Sequence, residues 1–76
     1  MPVLISSVEK NSPAEKAGIF VGESLVSING NQIKDVLDYR FYMTDRNLEV
    51  ELIKDGETRK VSVEKPEYED LGLDFE

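Results

Sequence analysis

Three residue types are missing from this 76-residue chain: it has no tryptophan and, more telling for its chemistry, no cysteine and no histidine. Without cysteine there is no disulfide framework, no thiol nucleophile and no thiolate metal site. Without histidine the usual general base near neutral pH is gone, and with it the commonest metal ligand. Long apolar runs are also absent: nothing approaches the roughly 18 residues of a membrane span. The start, Met1-Pro2-Val3-Leu4-Ile5, lacks a charged-then-apolar leader and runs straight into a strand. Basic residues are few, 9 against 16 acidic, for a net charge of −7. Such a surface repels phosphate backbones and anionic lipid, so neither nucleic acid nor a membrane is expected as a partner. Its plain role is solubility; its sharper consequence is a preference for basic partners. The length allows one domain, residues 1–76, with one modest core.

The remaining polar residues do not assemble into a catalytic pattern. Ser6, Ser7, Ser12, Ser24, Ser27 and Ser62 have no histidine to activate them, and no Gly-x-Ser-x-Gly elbow exists. Asp35 and Asp38 fall at the start of a helix, where carboxylates favour the positive end of the dipole. Glu67, Glu69 and Asp70 lack the twelve-residue ligand spacing of a calcium loop. No Gly-rich phosphate loop is present. The expectation is a non-enzymatic domain without catalytic residues, metal or cofactor, monomeric and cytoplasmic.

What the chain does have is dense local punctuation. Ser12 can cap a helix with its hydroxyl while Glu15 reaches back to the free Ser12 N–H. Pro13 suits the first helical position, and Gly18 ends the helix. Leu25, Val26 and Ile28 mark a strand over Ser24 to Ile28, and Asn29-Gly30 supplies a two-residue turn. Asp35 starts a second helix that runs from Val36 to Met43 and frays near Thr44. Its apolar residues, Val36, Leu37, Tyr39, Phe41 and Met43, spread over more than one face, as in a helix that packs on one side and lines something on another.

Strand signals fill the rest. Val3 to Val8 forms the first strand, with Val3 and Ile5 inward. Leu48, Val50 and Leu52 alternate with Glu49 and Glu51. Asp55-Gly56 turns the chain, Thr58 to Glu64 returns, and Pro66 ends that strand. After the acidic Glu67-Tyr68-Glu69-Asp70, residues Leu71 to Glu76 alternate once more. The order predicts an α+β fold: a partly open β-barrel of five to six strands with two helices.

The run from Ser12-Pro13-Ala14 through Ala17-Gly18-Ile19 to Gly22-Glu23 and Ile28-Asn29-Gly30 resembles the signature of the PDZ domain. Leu71-Gly72-Leu73 is similar to that family's carboxylate-binding loop, here placed last as in circularly permuted bacterial PDZ domains such as those of site-2-type metalloproteases. Asp35 to Met43 and Glu69 to Glu76 further resemble the N-terminal PDZ-like domain of bacterial radical-SAM-like iron–sulfur oxidoreductases, and that resemblance implies that the chain is an N-terminal fragment of a larger protein. The resemblance implies that an extended peptide, or a segment of the parent protein, adds as a strand beside Leu73–Glu76 and faces the Val36–Met43 helix. The implied peptide-binding residues are Leu71, Gly72, Leu73, Asp74 and Phe75, with Val36 or Leu37 and, one turn later, Arg40 or Phe41 on the helix. A histidine that selects serine or threonine in many PDZ ligands is replaced by Val36 or Leu37, so that preference is not expected. The alternative is a structural or regulatory domain that docks within an iron–sulfur oxidoreductase or a metalloprotease and binds no free peptide. Glu67, Glu69 and Asp70 crowd the loop. At about 4–6 Å their charges disfavour a bound anion by roughly 1 kcal/mol or more, so free C-termini are expected to bind weakly.

Overall fold

The computed structural model describes residues 2–76. Strand β1 (Val3–Val8) leads to the single-turn helix α1 (Pro13–Lys16), then β2 (Ser24–Ile28) and the short β3 (Asn31–Gln32). Helix α2 (Val36–Tyr42) follows, then β4 (Asn47–Lys54), β5 (Glu57–Glu64) and β6 (Leu73–Phe75). The strands form one antiparallel sheet in the order β5-β4-β2-β1-β6, with β3 on β2. The sheet is open: β5 and β6 are its two ends and do not meet.

Local chemistry accounts for most boundaries. The Ser12 hydroxyl accepts the Glu15 N–H at 3.2 Å, and Pro13 opens the helix. The reciprocal half of the expected capping box is displaced by one residue. The Glu15 carboxylate takes the Asn11 N–H at 2.8 Å, because Ser12 N–H is already turned onto the Glu9 carbonyl. At α2 the Asp35 carboxylate accepts from Leu37 and Asp38 N–H, and the helix stops at Met43, whose N–H returns to the Tyr39 carbonyl. Asn29-Gly30 and Asp55-Gly56 both have positive φ at each residue, the conformation that two-residue hairpin turns demand.

The alternation in β4 is realised: Leu48, Val50 and Leu52 are buried, while Glu49 and Glu51 point outward against Ser62 and Lys60 of β5. Together with Ile5, Leu25, Ile28, Ile33 and Val63 they form the core under the sheet. The last strand is shorter than the sequence pattern suggests. Leu71 and Gly72 are loop, since Gly72 has φ +99° and its N–H bonds to Asp70. Leu71, Leu73 and Phe75 nevertheless pack inward, Leu71 fully buried and Leu73 nearly so.

Glu23 carries a role its position in a turn did not announce. It is 6% exposed and accepts Phe20 N–H at 2.9 Å, while its two oxygens receive the Arg59 guanidinium at 2.8 Å each. Arg59 also donates to the Gly18 carbonyl, so this fork ties β5 to the segment between α1 and β2. The guanidinium holds the Glu23 carboxyl below its ordinary value of 4.5, burial opposing it. A carboxyl with a lowered folded pKa contributes stability above its unfolded value, and that contribution fades as pH falls through the folded one. Glu23→Gln should therefore melt earlier than the parent chain at about pH 7, by about 1 kcal/mol with the exposed guanidinium screened by water. The gap should close on acidification well below pH 4.5. Thermal melts of both proteins across that range check this; a constant gap would show that the ion pair contributes nothing.

Candidate functional site

β6 ends the sheet, and its outer side is determined by its pairing. Phe75 lies opposite Ile5 of β1. Ile5 sends its N–H to the Glu23 carbonyl at 2.9 Å and receives Gly22 N–H at its own carbonyl at 3.1 Å, both away from β6. The pair is thus the non-hydrogen-bonded kind, and the Phe75 N–H and C=O lie on the open edge. Its neighbours face the other way: Glu76 N–H donates to the Leu4 carbonyl, and the Gly72 carbonyl accepts from Glu9 N–H. Strand alternation assigns the Leu73 carbonyl to the open edge as well. Asp74 is exposed.

The loop entering β6 is tightly held. The Leu71 side chain is fully buried and its carbonyl accepts Ala14 N–H at 3.0 Å, joining the loop to α1. Gly72 passes so close to the Ser12 side chain that a Cβ there would overlap it, and only glycine fits. The Gly72 N–H donates to Asp70 Oδ1 at 2.8 Å. The Tyr39 hydroxyl donates to the same oxygen at 3.1 Å and accepts Leu73 N–H at 3.3 Å. Burial, with the Asp70 charge beside it, holds the Tyr39 phenol far above the usual tyrosine range, so it remains a donor.

Tyr39 also settles which face of α2 looks at β6. Its ring is 3% exposed and stands edge-on to Phe75, centroids 4.8 Å apart. At 100° per residue, Val36, Arg40 and Met43 share that side, while Leu37 and Phe41 fall nearly opposite. Their exposure agrees: Val36 is 38% exposed and Met43 buried, against 74% and 71% for Leu37 and Phe41. Of the residues singled out from the sequence, the fold therefore gathers Leu71, Gly72, Leu73, Phe75 and Val36 along one edge, with Arg40 at its border. It sets Leu37 and Phe41 on another face, where Phe41 lines a hollow of about 470 Å³ with Arg40, Tyr42, Thr44 and Tyr68.

The bond between Tyr39 and Asp70 is not legible in the sequence. Asp70 reads there as one of three acids crowding the loop and Tyr39 as one aromatic among three; the pairing of a phenol and a carboxylate 31 residues apart leaves no local mark. Lys65 is the other surprise, a lysine only 6% exposed whose N–H bonds to the Arg46 carbonyl and whose Nζ donates to the Pro66 carbonyl. Burial lowers its pKa, opposed by Glu69, Asp45, Asp70 and Glu67 around it. Among the described residues no three acidic, histidine or cysteine side chains converge as a metal ion would require.

A family model described as a PDZ domain matches residues 4–54, more than half of the chain. The matched stretch runs from β1 through β4 and stops short of β5 and β6. No curated protein matches the chain.

Proposed function

Because this chain belongs to the PDZ-domain family, whose members are peptide- and protein-interaction modules, we propose that it binds an extended segment as an added strand on the open side of β6, facing α2. The observation that carries this reading is the free edge itself. Phe75 presents an N–H and a C=O outward from the last strand of an open sheet. Main-chain pairing there supplies affinity, and side chains of the added strand would meet Val36 and the Phe75 ring. Val36, at 38% exposed, is the apolar contact that α2 offers along this edge.

The domain needs no chemistry of its own for this. A strand docks by exchanging water at two or three backbone groups for protein partners, each exchange worth about 1 kcal/mol net. Specificity then comes from the alternate side chains that point toward α2. The likeness of Asp35–Met43 and Glu69–Glu76 to domains of iron–sulfur oxidoreductases supports a second source for the segment, the parent chain itself. The closed loop before β6 fits a segment that brings no terminal carboxylate, whether it comes from the parent chain or from a partner.

An amide-resolved NMR titration with short peptides tests strand addition. On saturation the Phe75 amide is expected to shift and to exchange with solvent at least about tenfold more slowly, as a newly paired edge amide does. The Leu37 and Phe41 amides, on the opposite side of α2, are expected to stay still. Shifts centred on Phe41, Tyr42 and Tyr68 with Phe75 silent would place the ligand in the hollow beyond α2 and overturn the proposal.

A further inference from the structure

We propose that this edge takes an extended basic segment running past the loop, and not the end of a chain, because Asp70 and Tyr39 already fill the place of a terminal carboxylate. The inference rests on strand addition at β6 and names its occupant. A carboxylate bound at Leu71-Gly72-Leu73 would need the successive N–H groups of that loop. Gly72 N–H is taken by Asp70 Oδ1 at 2.8 Å, and Leu73 N–H by the Tyr39 hydroxyl, which itself donates to Asp70. The chain thus supplies its own carboxylate to its own anion-binding turn.

The plug is built from fixed parts. Tyr39 is buried and locked edge-on against Phe75, so its hydroxyl has little freedom to swing away. Gly72 cannot retreat either, since Glu9 N–H holds its carbonyl and Ser12 lies against its Cα. An incoming carboxylate meets a negative charge where it requires donors. A through-running strand meets no such obstacle, because the Leu73 carbonyl and both Phe75 groups remain on the open edge.

Charge selects the side chains of that strand. Glu67, Glu69 and Asp70 precede the loop, and Asp74 and Glu76 follow it, all exposed. Arg40 lies at the border of α2, and Lys16 and Arg46 line hollows with the buried Lys65 beside Glu69 and Glu67. Acids outnumber these cations along the edge, and the whole chain carries a net −7. An extended segment with lysine or arginine at alternate positions complements this rim, and the attraction weakens with salt.

The test uses three N-acetylated octapeptides: alternating valine and lysine as the free acid, the same sequence as the C-terminal amide, and alternating valine and glutamate as the amide. The two lysine peptides are expected to bind within about twofold of each other, and the glutamate peptide at least about tenfold more weakly at low ionic strength. Asp70→Ala should hand the loop to the ligand, so that the free acid gains about three- to tenfold over the amide. Glu69→Gln removes the same charge without unplugging Gly72 and should leave acid and amide equal. In the free protein, Asp70→Ala should also speed exchange of the Gly72 amide, and Tyr39→Phe that of Leu73.

A parent chain that prefers the free acid by more than about fivefold overturns the inference while leaving strand addition intact. So does a Gly72 amide that exchanges no faster in Asp70→Ala. A Phe75 amide silent to all three peptides overturns strand addition, and the named occupant with it.

Discussion

Gly72→Ala is expected to destabilise the domain by about 3–5 kcal/mol, enough to leave a chain of this size largely unfolded or close to it. Two costs combine. The residue sits at φ +99°, where an L side chain is strained by about 1–3 kcal/mol. The new Cβ would also overlap Cβ and Oγ of Ser12, and overpacking of that kind costs about 1–3 kcal/mol more. Ser12 cannot move aside cheaply, since it is 7% exposed and its hydroxyl caps α1. Nor can the loop, which is anchored through the Gly72 carbonyl to Glu9 and through the Gly72 N–H to Asp70. Gly56→Ala is the matched control. Its φ of +80° carries a similar conformational strain, but no atom lies within 4 Å of the added carbon. Urea unfolding of the two variants, followed by far-ultraviolet circular dichroism, separates strain from overlap. Equal losses would mean that α1 and the loop part easily, and the close approach at Gly72 would then matter little.

Leu71→Ala should cost about 2–4 kcal/mol, although residue 71 lies in a loop. Its side chain is fully buried within the core beside Leu73, and truncation leaves a void that the sheet cannot collapse to fill. With a urea slope of about 1 kcal/mol per molar for so small a chain, the unfolding midpoint should fall by about 2–4 M. The loss reaches function as well. Leu71 holds the turn that presents Gly72 and Leu73, so exchange of the Gly72 amide should quicken even where the protein remains folded. Leu37→Ala, at a leucine 74% exposed on α2, should stay within about 0.5 kcal/mol of the parent. A small effect at Leu71 would show that the loop side chain is held by its backbone contact to Ala14 alone.

These two leucines show where the sequence is legible and where it is not. Both are apolar, both follow an aspartate or valine in short segments, and composition ranks them alike. Only the fold separates them, because Leu71 is carried inward by a loop tied to α1, and Leu37 falls on the side of α2 turned from the sheet. The hydrophobic spread around α2 correctly warned that no single face would bury all of it. It could not assign the faces, since Val36, Tyr39 and Met43 form as plausible a stripe as Leu37 and Phe41. Tyr39 was decided by its meeting with Phe75 and Asp70, contacts that span more than thirty residues.

By itself the sequence determined the elements and much of their order: Ser12 and Asp35 start the helices, Asn29-Gly30 and Asp55-Gly56 turn the strands, and alternation in Leu48–Leu52 names the buried face. Those signals act between neighbours a few residues apart, through capping hydrogen bonds, allowed φ and the two-residue period of a strand, so they are written locally. The displaced reach of Glu15 marks the limit even there, because the competing bond of Ser12 to Glu9 came from a turn rather than from the helix. Tertiary structure alone decided that Glu23 would be buried under Arg59, that a Cβ at Gly72 would strike Ser12, and that Asp70 and Tyr39 would close the loop beside the open edge of β6. Each depends on segments distant in the chain arriving at one place. Sheet order and packing set that arrival, and no short-range pattern encodes it.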